Sequence, residues 1–301
     1  MLNLPPLRRA DLVRTVQAAL DEDAPWGDAT AEAFIPADAH AVADLVAREP
    51  GVLSGVEVLA TAFELVDPRI EVEALRADGE RFEAGDALAR VSGPARGVLT
   101  GERIALNFVQ RMSGVATLTA RYVAEVAGTG ARIVDTRKTT PGLRALERHA
   151  VRCGGGANHR RTLSDAVMVK DNHLALLVRD HGDDVTAALR AAIATLPHTT
   201  HVEVEVDRLD QIEPVLAAGI GTIMLDNFTV DDLHRGVAQV AGRAIVEASG
   251  GVSLETVGAI ARTGVDVISV GALTHSARAL DLGLDVRIDA GPASGPADGA
   301  E

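Results

Sequence analysis

The chain has 301 residues, 47% of them hydrophobic, which is enough for two domains or for one large α/β unit with a smaller one. Its formal net charge of −14 argues against a general nucleic-acid or anionic-membrane surface, and its seven aromatic residues (five Phe, one Trp, one Tyr) offer little for base stacking. The single cysteine, Cys153, excludes a disulfide framework. Together with the lack of a transmembrane-length apolar run or a signal-peptide pattern, it predicts a cytoplasmic protein.

The first part of the chain predicts a mixed domain of helices and strands. Apolar residues recur at helical spacing from Leu7 to Leu20. Short alternating strands follow over residues 40–49 and 69–93, broken at Asp78-Gly79 and Gly85-Asp86. A long helix is then predicted from about Val98 to Met112.

Beyond Met112, short apolar strands recur, and helical patterns separate most of them. Alternation of this size predicts parallel strands joined by right-handed crossovers. Six such units are fewer than the eight of a closed (β/α)8 barrel, so an incomplete barrel and an open doubly wound sheet both fit the pattern. The predicted strands are Arg132–Asp135, Ala166–Lys170, Val202–Val206, Thr222–Asp226, Ala244–Glu247 and Val265–Val270. The predicted helices are Asp184–Thr195, Leu209–Ala218, Val230–Val240 and Leu254–Arg262.

Charged, polar and glycine residues that could bind a ligand stand at the carboxyl ends of these strands. Ligands bind at the carboxyl edge of parallel sheets and α/β barrels, because the loops after the strands meet there. Ordinary polar turns would explain one or two such positions, but not a charged or glycine-rich group after each strand. The candidates, in chain order, are Thr136, Arg137, Lys138, Lys170, Asp171, Asn172, Glu205, Asp207, Asp226, Asn227, Ser249, Gly250, Gly251 and Gly271.

Two acidic residues, Glu205 and Asp226, end neighbouring predicted strands, so we expect their carboxylates to be close. Such a pair could be a glycosidase acid and base, a Mg²⁺ site, or acceptors for the vicinal hydroxyls of a sugar. The nearby cations and glycine loops favour Mg²⁺ and ribose. Glu203 lies on the same strand face as Glu205, and a structural ion pair is an equal alternative to a functional role for it.

Two further stretches predict an anion-binding pocket. Ser249–Gly251 and Ser269–Ser276 each follow a strand with glycines that let backbone amides approach a phosphate. The stretch Val151–His173 adds a triple glycine and the cations of His159 and Arg160, which implies a substrate with several negative charges. No histidine has zinc-site spacing. Cys153 is expected to be a small buried residue, and His149 is expected at the surface or a helix end.

The chain closely resembles one family, quinolinate phosphoribosyltransferase. The stretches DTRKTTPGLR, GGGANHR, SDAVMVKDNH, VEVEV, IMLDN, EASGGV and SVGALTHS all resemble its motifs, in its order. The resemblance runs from about Asp11 to Ile288. It implies an N-terminal α/β open-faced sandwich at residues 1–112, which makes dimer contacts, and an incomplete, about six-stranded α/β barrel at 113–274. Residues 275–288 would return to the N-terminal domain, and the Gly/Pro/Ala-rich residues 289–301 would form a disordered tail.

The reaction implied by the resemblance joins quinolinate to phosphoribosyl pyrophosphate and gives nicotinate mononucleotide, pyrophosphate and CO₂, on the de novo route to NAD, with Mg²⁺ as cofactor. Lys138, Glu205 and Asp226 would be catalytic, with Glu205 and Asp226 also holding the metal and the ribose hydroxyls. A homodimer is implied, because Arg103 would reach the site of the partner subunit. The implied substrate-binding residues are Arg103, Thr136, Arg137, Lys138, His159, Arg160, Lys170, Glu205, Asp226, Ser249, Gly250, Gly251, Val270, Gly271, Ala272 and His275.

Two other functions remain as alternatives. A related phosphoribosyltransferase with a different acceptor would have lost part of the dicarboxylate clamp, yet Arg103, Arg137, Arg160 and Lys170 are all present. A non-catalytic phosphate or nucleotide sensor would need neither Glu205 nor Asp226. Both alternatives are therefore less favoured than the enzyme.

Overall fold

The computed structural model describes residues 4, 6–179, 182 and 184–289. Their contacts divide them into two units. The first comprises the described residues of Met1–Thr117, Pro141–Gly154 and Ala277–Glu301, and the second comprises those of Leu118–Thr140 and Gly155–Ser276. Except for Asp289, the tail predicted at residues 289–301 lies outside the described residues. None of the helices described has both the length and the hydropathy needed to cross a membrane.

Strands and helices alternate along most of the described chain. The strands are β1 (His40–Ala47), β2 (Gly51–Val52), β3 (Glu71–Ala74), β4 (Arg81–Phe82), β5 (Ala87–Pro94), β6 (Arg132–Val134), β7 (Val167–Val169), β8 (Val202–Val206), β9 (Thr222–Asp226), β10 (Ile245–Ser249), β11 (Val267–Ser269) and β12 (Leu282–Asp289). The helices are α1 (Arg9–Asp23), α2 (Ala29–Phe34), α3 (Val56–Val66), α4 (Ala95–Glu125), α5 (Arg144–Cys153), α6 (Asp171–Val178), α7 (Val185–Ile193), α8 (Ile212–Ala217, after a 3₁₀ turn at Leu209–Gln211), α9 (Val230–Val240), α10 (Leu254–Ala261) and α11 (Ala272–His275).

The first unit is built on an antiparallel sheet of order β12-β1-β5-β3. Strand β1 buries every second residue, including Ala43 and Leu45, as expected for a strand with one face on a core. Helices α1 and α3 contact each other, and Phe63 of α3 is fully buried. The last strand, β12, pairs with β1 from Ala47↔Leu282 to His40↔Asp289. The expected α/β open-faced sandwich is confirmed.

The second unit contains a six-stranded sheet of order β6-β11-β10-β9-β8-β7, in which every neighbouring pair is parallel. Within the described residues, β6 and β7 form its two edges, so the sheet does not close. The expected incomplete barrel of about six strands is confirmed. The carboxyl ends of the six strands lie at the same end of the sheet, which is where the predicted functional residues other than Arg103 stand.

Several helices differ from the sequence-based expectation: α2, α3, α5, α6 and α11 lie outside the predicted ranges, and α4 is longer than predicted. Helix α4 extends well beyond the predicted Val98–Met112 and continues through Gly114, where a Cβ would lie 1.9 Å from the carbonyl oxygen of Arg278. This glycine is needed for a close backbone approach and does not break the helix. Helix α5 was not predicted. It buries Glu147, which pairs with Arg111 at 2.8 Å.

Candidate active site

A cleft of about 530 Å³ opens at the carboxyl edge of the parallel sheet. Its lining brings together most of the predicted substrate-binding residues and adds five others, two of which, Asn227 and Ser269, stand in strand-end stretches already singled out from the sequence. The predicted substrate-binding residues that line it are Thr136, Arg137, Lys138, His159, Arg160, Lys170, Glu205, Asp226, Ser249, Gly250 and Gly251. The additional residues are Met168, Met224, Asn227, Glu247 and Ser269.

The turn after β6 holds the adjacent cations Arg137 and Lys138. The hydroxyl of Thr136 accepts a hydrogen bond from the Lys138 amide at 3.0 Å, and the Arg137 carbonyl accepts one from the Thr139 amide at 2.9 Å. From the loop after β11, the Thr274 hydroxyl donates to the Lys138 carbonyl at 2.7 Å. Local turns and one long-range contact therefore fix the backbone that carries both charges.

The segment that carries His159 and Arg160 is attached to the end of β6. The fully buried carboxylate of Asp135 accepts hydrogen bonds from the side-chain amide of Asn158 at 2.6 Å and from the backbone amide of His159 at 2.8 Å. The Asp135 amide also donates to the Ala157 carbonyl at 3.2 Å, and the Ala157 amide donates to the Ile133 carbonyl at 2.8 Å, so Ala157 pairs with the end of β6 as a parallel bridge. A buried carboxylate that accepts two hydrogen bonds in this way fixes the backbone that it contacts.

His159 lies between two buried carboxylates. Its Nε2 is 3.1 Å from Oε2 of Glu203 on β8 and 3.4 Å from Oε2 of Glu247 on β10. Both glutamates are 3% exposed. On the other side of the ring, Nδ1 accepts a hydrogen bond from the backbone amide of Arg160 at 2.8 Å. Both nitrogens of the imidazole are thus engaged by the protein itself.

These contacts determine the tautomer of His159. Burial lowers the pKa of His159, while hydrogen bonds to Glu203 and Glu247 raise it, and the balance places the pKa at about 10. A protonated Nδ1, however, cannot accept the Arg160 amide hydrogen. The contact with the Arg160 amide requires an unprotonated Nδ1, which leaves the ring proton on Nε2, and it opposes the second protonation that the two carboxylates favour. Burial, followed by the charge of Glu203, raises the pKa of Glu247, and His159 opposes that rise.

The two guanidinium groups at the cleft destabilise each other. Burial and the positive charge of Arg137 lower the pKa of Arg160, and Glu203 and Asp165 oppose that lowering. Arg160 also donates to the carbonyl of Ala166 at 3.0 Å. Two partly buried cations side by side favour binding of an anion between them, because the anion relieves their repulsion.

The acidic side of the cleft lies on β8 and β9, as predicted. Glu205 accepts a hydrogen bond from Nζ of Lys170 at 2.6 Å, and Asp226 accepts one from the side-chain amide of Asn227 at 2.6 Å. Neighbouring strands carry the two carboxylates, and carboxylate oxygens are the donors that Mg²⁺ prefers. The donor set therefore fits a magnesium ion.

Five predicted substrate-binding residues do not line the cleft. Gly271 lies close behind it, since a Cβ on this residue would be 3.0 Å from Cδ of Lys138 and 3.1 Å from Nε2 of His275. Arg103 is an exposed residue of α4 in the first unit. The five are Arg103, Val270, Gly271, Ala272 and His275.

A separate buried cluster lies in the first unit. The surface position expected for His149 is wrong, since its side chain is 9% exposed and its Nε2 lies 2.7 Å from Oδ2 of Asp78. Burial lowers the pKa of His149, but Asp78 and then Cys153 raise it to about 10. Asp78 also accepts the backbone amides of Gly55 and Val56 at the start of α3. Cys153 is buried, as expected.

Glu247 was missed because its partner comes from another part of the chain. A single glutamate in the apolar strand Ile245–Ser249, two residues before Ser249 and so on the same face, was the available signal. The sequence does not show that His159 would meet it.

Comparison with known proteins places the chain in a family. Residues 28–113 match the family model of the quinolinate phosphoribosyl transferase N-terminal domain, and residues 115–285 match that of its C-terminal domain. The carboxylating nicotinate-nucleotide pyrophosphorylase of Mycobacterium leprae is 46% identical over 281 residues, covering 90% of this chain and 96% of that protein. The probable enzyme of the same name from Bacillus subtilis is 38% identical, with 89% and 90% covered.

A solved structure gives the same result. The crystal structure of NadC from Streptococcus pyogenes superposes with a TM-score of 0.89 at 38% identity, covering 95% of this chain and 100% of that one. Both domains, their order and nearly their full length are matched in these comparisons. The chain belongs to the quinolinate phosphoribosyltransferase family.

Proposed function

We propose that the chain transfers the phosphoribosyl group of phosphoribosyl pyrophosphate to quinolinate with loss of CO₂, giving nicotinate mononucleotide and pyrophosphate for NAD biosynthesis. The observation that carries the proposal is the cleft itself, whose lining combines the cations of Arg137, Arg160 and Lys170 with the carboxylates of Glu205 and Asp226. Membership of the family and the names of its relatives support the same reaction.

The basic side fits a small dicarboxylate. Arg137 and Arg160 repel each other, and their guanidinium groups bind carboxylates in bidentate fashion. Lys170 adds a point charge, although it is paired with Glu205 in the structure. We assign the two carboxylates of quinolinate to these three cations, with His159 beside them. A substrate with a single carboxylate would leave part of this positive charge uncompensated.

The acidic side fits the phosphoribosyl donor. Glu205 and Asp226 would hold Mg²⁺ and the ribose hydroxyls, and the ion would neutralise charge on the departing pyrophosphate when bound. Lys138 would contact the pyrophosphate. The glycine loop Ser249–Gly251 offers backbone amides to the 5′-phosphate, and Val270, Gly271, Ala272 and His275 would complete that side.

The chemistry asks the protein mainly for positioning and electrostatics. As the C1–pyrophosphate bond breaks, positive charge grows on the ribose, and the carboxylates of Glu205 and Asp226 stabilise it. The quinolinate nitrogen attacks C1, and the quaternised ring then accepts the electrons released when the adjacent carboxylate leaves as CO₂. A proton adds at that ring carbon. Fixed cations on the carboxylates keep the nitrogen aligned with C1.

We propose further that the active form is a cytoplasmic homodimer in which Arg103 of one subunit completes the quinolinate site of the other. The exposure of Arg103 on α4 is compatible with a partner contact. We also propose that residues 1–112 and 275–288 form the dimerising domain and residues 113–274 the catalytic one. The lone buried cysteine is consistent with a reducing compartment.

The test incubates the purified enzyme with quinolinate, phosphoribosyl pyrophosphate and Mg²⁺ and measures CO₂ and mononucleotide. We expect equal amounts of the two products and loss of turnover when a chelator removes the metal. Arg137→Ala should raise the KM for quinolinate by about 10- to 100-fold, since charge-assisted hydrogen bonds are lost. Arg161→Ala is the matched control, because Arg161 does not line the cleft. Turnover with nicotinate or another base, but not with quinolinate, would favour the related transferase with a different acceptor.

A further inference from the structure

The environment of His159 differs from that of a residue that binds substrate. A histidine that holds a substrate carboxylate needs an N–H directed into the cleft. Here Nε2 is directed at Glu203 and Glu247, and Nδ1 accepts the Arg160 amide. The ring therefore spans from two strands of the sheet to the backbone of the next residue in the chain.

The backbone held in this way is that of Arg160, whose guanidinium lines the cleft. Asp135 fixes the preceding amide, that of His159, at 2.8 Å. The segment from Asn158 to Arg160 is thus attached on one side to β6 and on the other, through the ring of His159, to β8 and β10. Removing either attachment would free the backbone from which the arginine side chain extends.

Glu203 and Glu247 have the wrong charge to bind an anionic substrate themselves. Both are buried, and a carboxylate near a dicarboxylate ligand weakens its binding by repulsion. Their presence beside an anion-binding cleft therefore needs another reason, and the hydrogen bonds to Nε2 of His159 supply it.

We propose that Glu203 and Glu247 are positioning residues that fix the ring of His159 and, through its Nδ1, the backbone amide of Arg160, so that Arg160 is held ready for a carboxylate of the substrate. This inference rests on the proposed function for the identity of the dicarboxylate. The hydrogen-bond chain itself is independent of that identity.

The first test compares two variants of one residue by calorimetric binding of quinolinate to the full-length enzyme. Glu247→Gln keeps an oxygen that accepts from Nε2 of His159, whereas Glu247→Leu has a similar size and no acceptor. We expect the Kd for quinolinate to stay within about threefold for Glu247→Gln and to rise at least tenfold for Glu247→Leu, with the Kd for phosphoribosyl pyrophosphate unchanged in both. If charge alone mattered, both variants would bind quinolinate more tightly, and that outcome would overturn the proposal.

A double-mutant cycle then tests whether the effect passes through Arg160. In an Arg160→Ala background, Glu247→Leu should change the Kd for quinolinate by less than about twofold, because its route of action is already lost. An undiminished tenfold effect in that background would show a general structural disturbance and contradict the proposal.

A third measurement uses the unaltered enzyme and needs no substrate. We expect ¹⁵N NMR to show an unprotonated Nδ1 on His159 and a coupling across the hydrogen bond from the Arg160 amide nitrogen, with His159→Gln assigning the signals. A protonated Nδ1, or no coupling, would refute the positioning chain even where quinolinate binds. Failure of quinolinate to bind the unaltered enzyme, with the coupling present, would instead count against the proposed function and leave the positioning of Arg160 supported.

Discussion

The glycine at position 250 shows how closely single residues are fitted at the cleft. Gly250 has a φ of +89°, and a Cβ there would lie 2.1 Å from Oδ1 of Asn227 and 2.9 Å from its backbone nitrogen. The Asn227 amide in turn donates to the Ser249 carbonyl, and its side chain donates to Asp226. A side chain at Gly250 would therefore displace the residue next to a proposed metal ligand.

We expect Gly250→Ala to lower kcat about 100-fold and to destabilise the fold by about 2 kcal/mol, because left-handed strain and a backbone clash add together. The matched control is Gly128→Ala, which has a similar φ of +82° but no atom within 4 Å of the new methyl group. It should cost about 1 kcal/mol in stability and leave kcat unchanged. Steady-state kinetics and thermal unfolding distinguish the two, and equal kcat values would contradict the expectation.

At the level of residues, sequence reasoning succeeded where a charge follows a buried strand. Arg137, Lys170, Glu205 and Asp226 all line the cleft because parallel strands deliver their carboxyl ends to one edge. Sequence reasoning did not succeed where the role of a residue depends on a partner that is distant in the sequence. Glu247 needs His159 to be understood, just as His149 needs Asp78, and no local pattern brings those pairs together.

Among the elements, α4 depends on a single small residue, Gly114, for its close approach to the segment before β12. The ideal Cβ of Gly114 would lie 1.9 Å from the Arg278 carbonyl oxygen and 3.0 Å from its carbonyl carbon. Backbone atoms cannot rotate away as a flexible side chain can, so the helix and the segment before β12 must separate if the residue grows.

We expect Gly114→Ala to lower the free energy of unfolding by about 3 kcal/mol or more, although alanine is the better helix former. Gly258→Ala in α10 is the control, since its new Cβ would meet neighbours only at 3.4 Å. That variant should be unchanged or more stable by up to about 1 kcal/mol. Urea unfolding monitored by circular dichroism makes the comparison, and similar losses in both variants would rule out the clash as the cause.

The elements of the second unit were the most predictable. The observed bounds of β8, β9 and α9 coincide with those predicted, because the alternating VEVEV stretch and the apolar TIML run are distinct from the period of an amphipathic helix. Helix α5 was missed although its buried residues Leu146, Ala150 and Cys153 follow helical spacing, and one of its charged residues, Glu147, is buried by a long-range ion pair with Arg111. The burial of a charged residue by a partner distant in the sequence cannot be predicted from its neighbours along the chain.

For the molecule as a whole, the pair of His149 and Asp78 makes stability depend on pH. The pKa of His149 is raised to about 10 in the folded state, above the value of about 6.5 expected when unfolded. A raised folded pKa contributes stability that is fully present below about pH 6.5 and is lost as the pH rises towards 10.

We therefore expect His149→Gln to reduce the free energy of unfolding by about 2 kcal/mol at pH 6.5 and by much less at pH 10. Denaturant titrations of the unaltered enzyme and of His149→Gln at the two pH values measure the difference in their free energies of unfolding. A difference in free energy of unfolding that does not decrease with rising pH would show that the ion pair contributes little and that packing explains the lost stability.

The proposed assembly makes a prediction of its own. Arg103→Ala and Lys138→Ala chains should each be inactive, because each breaks every site in its own homodimer. Random mixing makes half of the dimers mixed, and one of the two sites in a mixed dimer has both residues, so about a quarter of the original activity should return. Native mass spectrometry would be used to check that mixed dimers form. If they form without activity, Arg103 does not act across subunits.

The pairing of β12 with β1 has a consequence for biosynthesis. Strand β1 ends at Ala47, and its partner begins at Leu282, so most of the chain is translated before the sheet of the first unit can be completed. At typical ribosomal rates, one edge of β1 waits roughly 10 to 50 s for its neighbour. During that interval it presents unpaired amides and carbonyls to other nascent chains. A chain truncated before β12 should therefore aggregate. Synthesis of β12 determines when the exposed edge of β1 becomes paired and the enzyme is protected from association with other chains.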